Sequence, residues 1–273
     1  MNYISETLCL STSHGSVAVK DNGGSGLPLV LIHGNSTCRG VFARQMRDGT
    51  LRQRRIIAFD LPGHGESADA SDPERSYTRR GLTDLCLEVL SILGVREAVI
   101  VGWSLGGHIG IQMLSQFPGA RGLVITGTPP IGRGGMAEGF VSAPQLGLPS
   151  KGRFSRAESE RFARMIFGTP IEPFVVDAIA RTDDRFREVL FQAVRAGEGI
   201  DQRAVVERSP VPVAVINGAD DPLINLDYID SLDYANLWSG RCHRLDGVGH
   251  AAFWHAAPRF NRLVARFLSD IGA

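Results

Sequence analysis

The chain has 273 residues, of which 43% are hydrophobic and 21% are charged, and its formal net charge at pH 7 is zero. This length and apolar content suffice for one large hydrophobic core, with room for an inserted subdomain. The balanced charge offers no electrostatic basis for binding nucleic acid or an anionic membrane surface.

Other features of the sequence point to a cytoplasmic protein without a metal site. No apolar run reaches the length of a membrane span, and the first residues lack the basic and apolar regions of a signal peptide. The cysteines lack metal-ligand spacing and are best explained as reduced thiols: Cys9, Cys38, Cys86 and Cys242. No histidine cluster of a metal-binding type occurs, so we expect neither a metal nor a cofactor.

The first half of the chain alternates between predicted strands and helices. Two short strands are expected in residues 3–20, on either side of a turn at Ser13-His14-Gly15. Continuous apolar runs, typical of strands buried on both faces, follow at Leu29–Ile32, Ile56–Phe59, Ala98–Val101 and Leu123–Ile125. Helical periodicity covers Leu82–Leu93, and Gly94 is placed to end that helix.

The pattern changes between residues 131 and 207, where loops surround short amphipathic helices predicted at Arg156–Phe167, Glu172–Arg181 and Phe186–Ala196. It then resumes with strands at Val211–Ile216 and Cys242–Leu245, and with helices at Leu226–Ala235 and Pro258–Ile271. Strands alternating with helices predict an α/β fold with a mostly parallel central sheet flanked by helices. We therefore predict a core formed by 1–130 and 208–273, and an inserted helical lid at 131–207.

The strand at Ala98–Val101 leads into Gly102-Trp103-Ser104-Leu105-Gly106, and an apolar run at helical spacing follows. Strand, sharp turn and helix form the context in which Gly-x-Ser-x-Gly becomes a nucleophile elbow. The turn strains the backbone of Ser104 and exposes its hydroxyl at the edge of the sheet. Ser104 is therefore the predicted nucleophile, provided that a base, an acid and an oxyanion hole accompany it.

A serine hydroxyl needs a base, and the base needs an orienting acid. On this kind of sheet the order along the chain is serine, acid, histidine. His250, in a Gly-His turn after the last strand, is the predicted base, in preference to His243 and His255. Asp221 is the preferred acid, and the adjacent Asp220 is the alternative.

Acyl transfer also needs two donors directed at the developing oxyanion. The Leu105 N–H group, directly after the nucleophile, is one candidate. The second is expected from the loop after the Leu29–Ile32 strand, and we choose the Asn35 N–H group. The Asn35 side chain either contacts substrate or satisfies the loop backbone, and His33 is expected to hold this loop.

The predicted lid is rich in large apolar side chains, and about a third of them are expected to line a pocket over Ser104. Phe140 and Phe162 are candidates for that lining, and Trp103 is a candidate wall beside the nucleophile. The lid set comprises Phe140, Phe154, Phe162, Met165, Ile166, Phe167 and Phe174. The expected partner is a small molecule with an apolar acyl group.

These motifs together resemble the α/β-hydrolase fold family over essentially the whole chain. The residues that carry the resemblance are His33-Gly34, Asp60-Leu61-Pro62-Gly63-His64-Gly65-Glu66-Ser67, Gly102–Gly107 and Gly249-His250. A narrower resemblance is to the metal-independent N-acyl-homoserine lactonases of that fold. It rests on His33-Gly34-Asn35-Ser36, Gly102–Ile111, Ile125-Thr126-Gly127-Thr128-Pro129-Pro130 and Asn236-Leu237-Trp238.

The narrower resemblance implies hydrolysis of the lactone ring of bacterial quorum-sensing signals, with Ser104, Asp221 and His250 as triad and Asn35 in the oxyanion hole. Two positions depart from those lactonases, which carry Glu where Asp221 stands and a lid Tyr near Phe162. If that Tyr hydroxyl binds the substrate amide, Phe162 alters affinity or chain-length preference. Alternatives are a carboxylesterase or carbon–carbon bond hydrolase of the same fold, and a ligand receptor on a hydrolase scaffold. Ser104 argues against dehalogenases and epoxide hydrolases, which need Asp at that position.

Overall fold

The computed structural model describes residues 7–141 and 150–273. In these ranges, eight strands form one sheet in the order β1-β2-β4-β3-β5-β6-β7-β8. The strands are β1 (Thr7–Thr12), β2 (Gly15–Asp21), β3 (Ser25–Ile32), β4 (Arg54–Phe59), β5 (Ala98–Trp103), β6 (Ala120–Thr126), β7 (Val213–Gly218) and β8 (His243–Leu245).

The sheet is mostly parallel, as the sequence predicts. Strands β3 to β8 pair with one another only in parallel, whereas β1 pairs antiparallel with β2 and β2 pairs antiparallel with β4. The carboxyl ends of β3, β5, β6 and β7 therefore meet at one edge, where ligands bind in open α/β sheets. Residues 3–6 of the predicted first strand lie outside the described residues.

Both faces of the sheet are buried, because alternate residues of each central strand enter different hydrophobic clusters. Val30 and Ile32 belong to one cluster, and Leu29 and Leu31 belong to the other. Helices cover both clusters, so the central strands are apolar on each side. This packing explains why their sequences are continuous apolar runs rather than alternating ones.

Twelve α-helices are found in the described residues, and the longer ones agree with the sequence periodicity. They are α1 (Ala43–Met46), α2 (Pro73–Ser76), α3 (Arg79–Ile92), α4 (Leu105–Met113), α5 (Met136–Gly139), α6 (Arg156–Phe167), α7 (Pro173–Arg181), α8 (Asp184–Arg195), α9 (Gln202–Val206), α10 (Leu226–Asp230), α11 (Ala252–His255) and α12 (Ala257–Asp270). Short 3-10 turns lie at Arg39–Phe42, Leu51–Gln53 and Trp238–Gly240.

The segment between β6 and β7, residues 131–207, is called the helical insert below. Its described residues contain α5 to α9 and no strand, although Phe140 forms one isolated bridge to Ile224. Helix α6 begins at a capping box, in which the Ser155 hydroxyl accepts from the Glu158 N–H and the Glu158 carboxylate accepts from the Ser155 N–H. Residues 142–149 of the predicted lid lie outside the described residues.

One predicted helix is shorter than expected. The periodicity predicts Leu226–Ala235, but α10 ends at Asp230. Beyond it, the Ala235 N–H donates to the carbonyl oxygen of Val206 in α9, so a tertiary contact replaces the helical bond. Among the residues described, no helix is both long and apolar enough to cross a bilayer.

Candidate active site

Ser104 lies in the sharp turn between β5 and α4, with φ of 52° and ψ of −116°. Two glycines allow the backbone on either side of this turn to pack closely, because neither position has room for a side chain. A Cβ atom on Gly102 would lie 2.3 Å from the Gly106 carbonyl oxygen, and one on Gly106 would lie 2.0 Å from the Ile32 carbonyl oxygen. The Ser104 N–H donates to the Thr126 carbonyl oxygen at 2.9 Å, which fixes the turn to the adjacent strand.

His250 and Asp221 form a buried pair after β8 and β7. The distance from His250 Nδ1 to Asp221 Oδ2 is 2.8 Å, and the two side chains are 3% and 1% exposed. The other carboxylate oxygen of Asp221 accepts from the backbone N–H groups of Leu223, at 2.9 Å, and Ile224, at 3.3 Å. A carboxylate held in this way orients the imidazole with Nδ1–H toward the acid and leaves Nε2 as a base.

The other candidate acid and the other candidate histidines have different partners. The Asp220 side chain is exposed, and its backbone N–H donates to the Val248 carbonyl oxygen. His243 lies in β8 with Nε2 2.8 Å from the Ser239 hydroxyl, and His255 lies at the end of α11. The structure therefore brings Asp221 to His250, and it places Ser104 and His250 in the wall of the same cavity.

The loop after β3 carries Asn35 and is held by two buried histidines. The His33 ring contacts the Gly34 carbonyl oxygen through Nδ1 at 2.8 Å and accepts from the Leu61 N–H through Nε2 at 3.0 Å. His64 contacts the Pro62 carbonyl oxygen through Nδ1 and accepts from the Ser36 N–H through Nε2. Burial lowers the pKa of both rings, so both are neutral and fix the loop without exchanging protons.

A buried arginine that the sequence interpretation missed also reaches this loop. Arg187 of α8 is 1% exposed, and its Nη1 donates to the Ser36 hydroxyl at 2.7 Å. The Ser36 hydroxyl donates in turn to Asn35 Oδ1 at 2.7 Å, and Ser36 has a positive φ of 59°. Arg187 Nε donates to the carbonyl oxygens of Lys151, at 2.7 Å, and Gly152, at 2.9 Å. The helical insert is thus tied to the Asn35 loop by one guanidinium.

The first turn of α4 supplies the other donor expected at the site. Leu105 is the first residue of α4, and N–H groups of a first helical turn have no acceptor within the helix. Asn35 and Leu105 both line the cavity that Ser104 lines. The two candidate donors and the candidate nucleophile therefore share one space.

That cavity has a volume of about 440 Å³ and is mostly apolar. Trp103, Phe140 and Phe162 line it, as the sequence predicts. The sequence interpretation missed Arg79 and His108, although His108 follows Ser104 by one helical turn. The full lining is Asn35, Arg79, Trp103, Ser104, Leu105, His108, Met136, Ala137, Phe140, Phe162, Ile166, Leu190, Phe191, Val194, Leu223, Ile224 and His250.

In the described part of the chain, no group of three or more His, Cys, Asp or Glu side chains is arranged to hold a metal ion. All four cysteines are free thiols. The polar groups at the cavity are therefore those of a serine, a histidine–carboxylate pair, backbone N–H groups, Asn35, Arg79 and His108.

The chain is similar over nearly its whole length to solved hydrolases. A crystal structure of the N-acyl homoserine lactonase AidH complexed with N-butanoyl homoserine matches with a TM-score of 0.94 and 44% identity, over 97% of both chains. The esterase RhEst1 from Rhodococcus sp. ECU1013 matches with a TM-score of 0.81 and 24% identity, over 98% of this chain and 99% of that chain, and shows the fold alone.

A curated relative is a 2-hydroxymuconate semialdehyde hydrolase from Pseudomonas sp. strain CF600. It is 28% identical over 92% of this chain and 89% of its own length. The model of the alpha/beta hydrolase family matches residues 29–263, which include every strand from β4 to β8 and all of the site described above. The chain belongs to the alpha/beta hydrolase family.

Proposed function

We propose that the protein is a serine hydrolase that opens the lactone ring of N-acyl-homoserine lactones and releases N-acyl-homoserine. The observation that carries the proposal is the likeness to AidH, which extends over 97% of both chains at 44% identity. The site supports the same chemistry, because an elbow serine, a buried histidine–carboxylate pair and an apolar cavity occur together.

In the proposed first step, His250 Nε2 takes the proton from the Ser104 hydroxyl as Oγ attacks the lactone carbonyl carbon. Asp221 accepts the His250 Nδ1–H and stabilises the imidazolium that forms. The N–H groups of Leu105 and Asn35 donate to the oxyanion. Loss of one such donor costs on the order of 3 kcal/mol in transition-state stabilisation, which is a hundredfold or more in rate.

Collapse of this intermediate breaks the ring carbon–oxygen bond, and His250 gives its proton to the departing alkoxide. The product of this step is an acyl-enzyme in which the alcohol remains part of the acyl group. Water then gives a proton to His250 and attacks the ester carbon, and the second collapse returns the proton to Ser104 Oγ. N-acyl-homoserine leaves with its new carboxylate in an otherwise apolar cavity.

The helical insert has the role of a lid in this proposal. Phe162 and Ile166 of α6 and Leu190 of α8 line the cavity from the insert, and Trp103 lines it from the core. These side chains suit an apolar acyl chain. The four free thiols accord with a cytoplasmic location, which is also part of the proposal.

The experiment uses purified protein with an N-acyl-homoserine lactone and, separately, p-nitrophenyl esters, both in EDTA. Fast ring opening with weak ester turnover supports a metal-independent lactonase. Brisk ester cleavage with an untouched lactone leaves a serine esterase and refutes the lactonase proposal. Ser104→Ala serves as the matched control and should abolish nearly all turnover while leaving the circular dichroism spectrum unchanged. Activity near wild type in that variant would refute the assignment of Ser104.

A carbon–carbon bond hydrolase is the second candidate. It is favoured by the similarity to the Pseudomonas hydrolase and by Arg79, a cation in the cavity wall that could bind a carboxylate. Cleavage of a ring-fission product without lactone opening would identify this activity. The triad would be the same, so the substrates decide between the two.

A further inference from the structure

The cavity wall contains a second imidazole ring, besides that of His250, among apolar side chains. His108 lies in α4, four residues after Ser104, and lines the cavity with Met136, Phe140 and Leu190. The mechanism proposed above does not use this ring. Its orientation and protonation state are nevertheless set by a specific partner.

That partner is Gln202 of α9, which is 1% exposed. Gln202 Nε2 donates to the backbone carbonyl oxygen of His108 at 3.0 Å, which identifies the other end of the amide as the oxygen. Gln202 Oε1 lies 2.7 Å from His108 Nδ1. Because an amide oxygen only accepts, Nδ1 carries the proton and Nε2 carries a lone pair.

The ring remains neutral at physiological pH, and Nε2 therefore remains an acceptor. Burial and the nearby Arg79 charge lower the pKa of His108 to about 4. Among the described residues, no group donates to His108 Nε2. An acceptor in a mostly apolar cavity loses free energy unless the ligand supplies a donor.

The helix determines which part of a substrate meets this acceptor. The His108 N–H donates to the Ser104 carbonyl oxygen at 3.2 Å, so His108 lies one turn along α4 from the residue that precedes the helix. In a lactone attacked at Ser104, the amide nitrogen is only two bonds from the reacting carbonyl carbon. The third carbon of the acyl chain is five bonds from that carbonyl carbon. A substituent on this third carbon is therefore far enough from Ser104 to meet a side chain one helical turn further along α4.

We propose that His108 Nε2 accepts a hydrogen bond from a hydroxyl group on the third carbon of the acyl chain. The enzyme therefore selects N-(3-hydroxyacyl)-homoserine lactones over the 3-oxo compounds. This inference rests on the proposed lactonase function. A 3-oxo group has lone pairs and no proton, so it leaves Nε2 without a donor and places two acceptors against each other.

The experiment compares kcat/KM for N-(3-hydroxyoctanoyl)- and N-(3-oxooctanoyl)-homoserine lactone in direct competition. A hydrogen bond made to one substrate and lost with the other predicts a preference of about tenfold for the hydroxy compound. In His108→Leu, which keeps an apolar side chain in the wall, the ratio should fall to about one. Met136→Leu changes another wall residue without changing a polar group and should keep the wild-type ratio.

Gln202→Leu tests the protonation state independently of the ring itself. Without the amide oxygen, the proton can move to Nε2, which then donates to a 3-oxo group, so the ratio should fall toward or below one. The inference is overturned by a wild-type ratio of one or less, or by a ratio that survives in His108→Leu. If His108→Leu does not fold, a ratio in Gln202→Leu equal to wild type overturns it.

The competition also separates this inference from the function on which it rests. If neither lactone is opened while p-nitrophenyl octanoate is cleaved, the proposed function fails and the inference fails with it. If both lactones are opened without preference for the hydroxy compound, the proposed function stands and only the role of His108 is refuted.

Discussion

Replacing Arg187 tests how far the site depends on a residue remote from the reacting atoms. Its guanidinium is 1% exposed, donates to Ser36 and to two carbonyl oxygens, and lies 4.0 Å from the centroid of the Phe154 ring. Burial lowers the pKa of Arg187 to about 10, from an ordinary 12.5. That difference corresponds to a net cost of about 3 kcal/mol for holding the charge in the folded protein.

Arg187→Met removes this cost together with the hydrogen bonds. Hydrogen bonds from the two charged donor atoms, Nε and Nη1, stabilise the fold by about 1.5–3 kcal/mol each. The substitution therefore removes about 3–6 kcal/mol of stabilisation and also removes the cost of about 3 kcal/mol for burying the charge. The free energy of unfolding should therefore fall by between about 0 and 3 kcal/mol. Arg187→Lys keeps a buried charge without the planar fork, and should cost about 3–5 kcal/mol. The nominally conservative change is therefore the more damaging one.

Both variants should also lower kcat/KM, by about ten- to a hundredfold, because the Asn35 loop loses the donor that fixes Ser36. Urea unfolding and lactone kinetics well below the unfolding temperature measure the two effects. Arg195→Met is the matched control, since Arg195 is an exposed residue of α8, and it should change stability by less than about 0.5 kcal/mol. Greater stability for Lys than for Met, or wild-type kinetics in the Met variant, would refute the reasoning.

Three further predictions concern the acid, the elbow and the buried histidines. Asp221→Asn should lower kcat by about a thousandfold or more, because the amide favours the wrong tautomer of His250. Asp220→Asn should leave kcat near the wild-type value. Equal losses of kcat in the two variants, measured by steady-state kinetics, would contradict this prediction. Gly106→Ala should destabilise the fold by more than about 3 kcal/mol in urea unfolding, because its Cβ would lie 2.0 Å from a carbonyl oxygen; a soluble variant of wild-type stability would show that the elbow can widen. Burial lowers the pKa of His33 and His64 in the folded protein. Below about pH 6.5 these two side chains therefore bind protons in the unfolded chain more readily than in the folded one. Stability should then fall as pH decreases below about 6.5, and a flat urea midpoint would contradict this.

Local chemistry explains where the sequence predictions succeed. The bounds of α6 were predictable because Ser155 and Glu158 form a capping box before a clearly amphipathic run. Strand β5 and the turn at Ser104 were predictable because few structures accommodate that apolar run followed by closely spaced glycines. In each case the deciding residues are neighbours along the chain.

The features that were missed depend on contacts between distant parts of the chain. Arg187 and Ser36 are separated by 151 positions, and His108 and Gln202 by 94. The amphipathic pattern of α8 places Arg187 no differently from other arginines, because periodicity describes one helix and not what it faces. The early end of α10 has the same origin, since Ala235 bonds to a carbonyl group of α9. Such pairings emerge only from the folded topology.

The bond between Arg187 and Ser36 has a consequence for protein engineering. An obvious route to a new substrate range is to replace the inserted helical segment of one hydrolase with that of another hydrolase of the same fold. Here the helical insert carries the guanidinium that fixes the loop of Asn35 on the core. A chimera built on this core therefore keeps the conformation of the Asn35 loop only if the donor segment supplies an arginine at the matching turn of its helix.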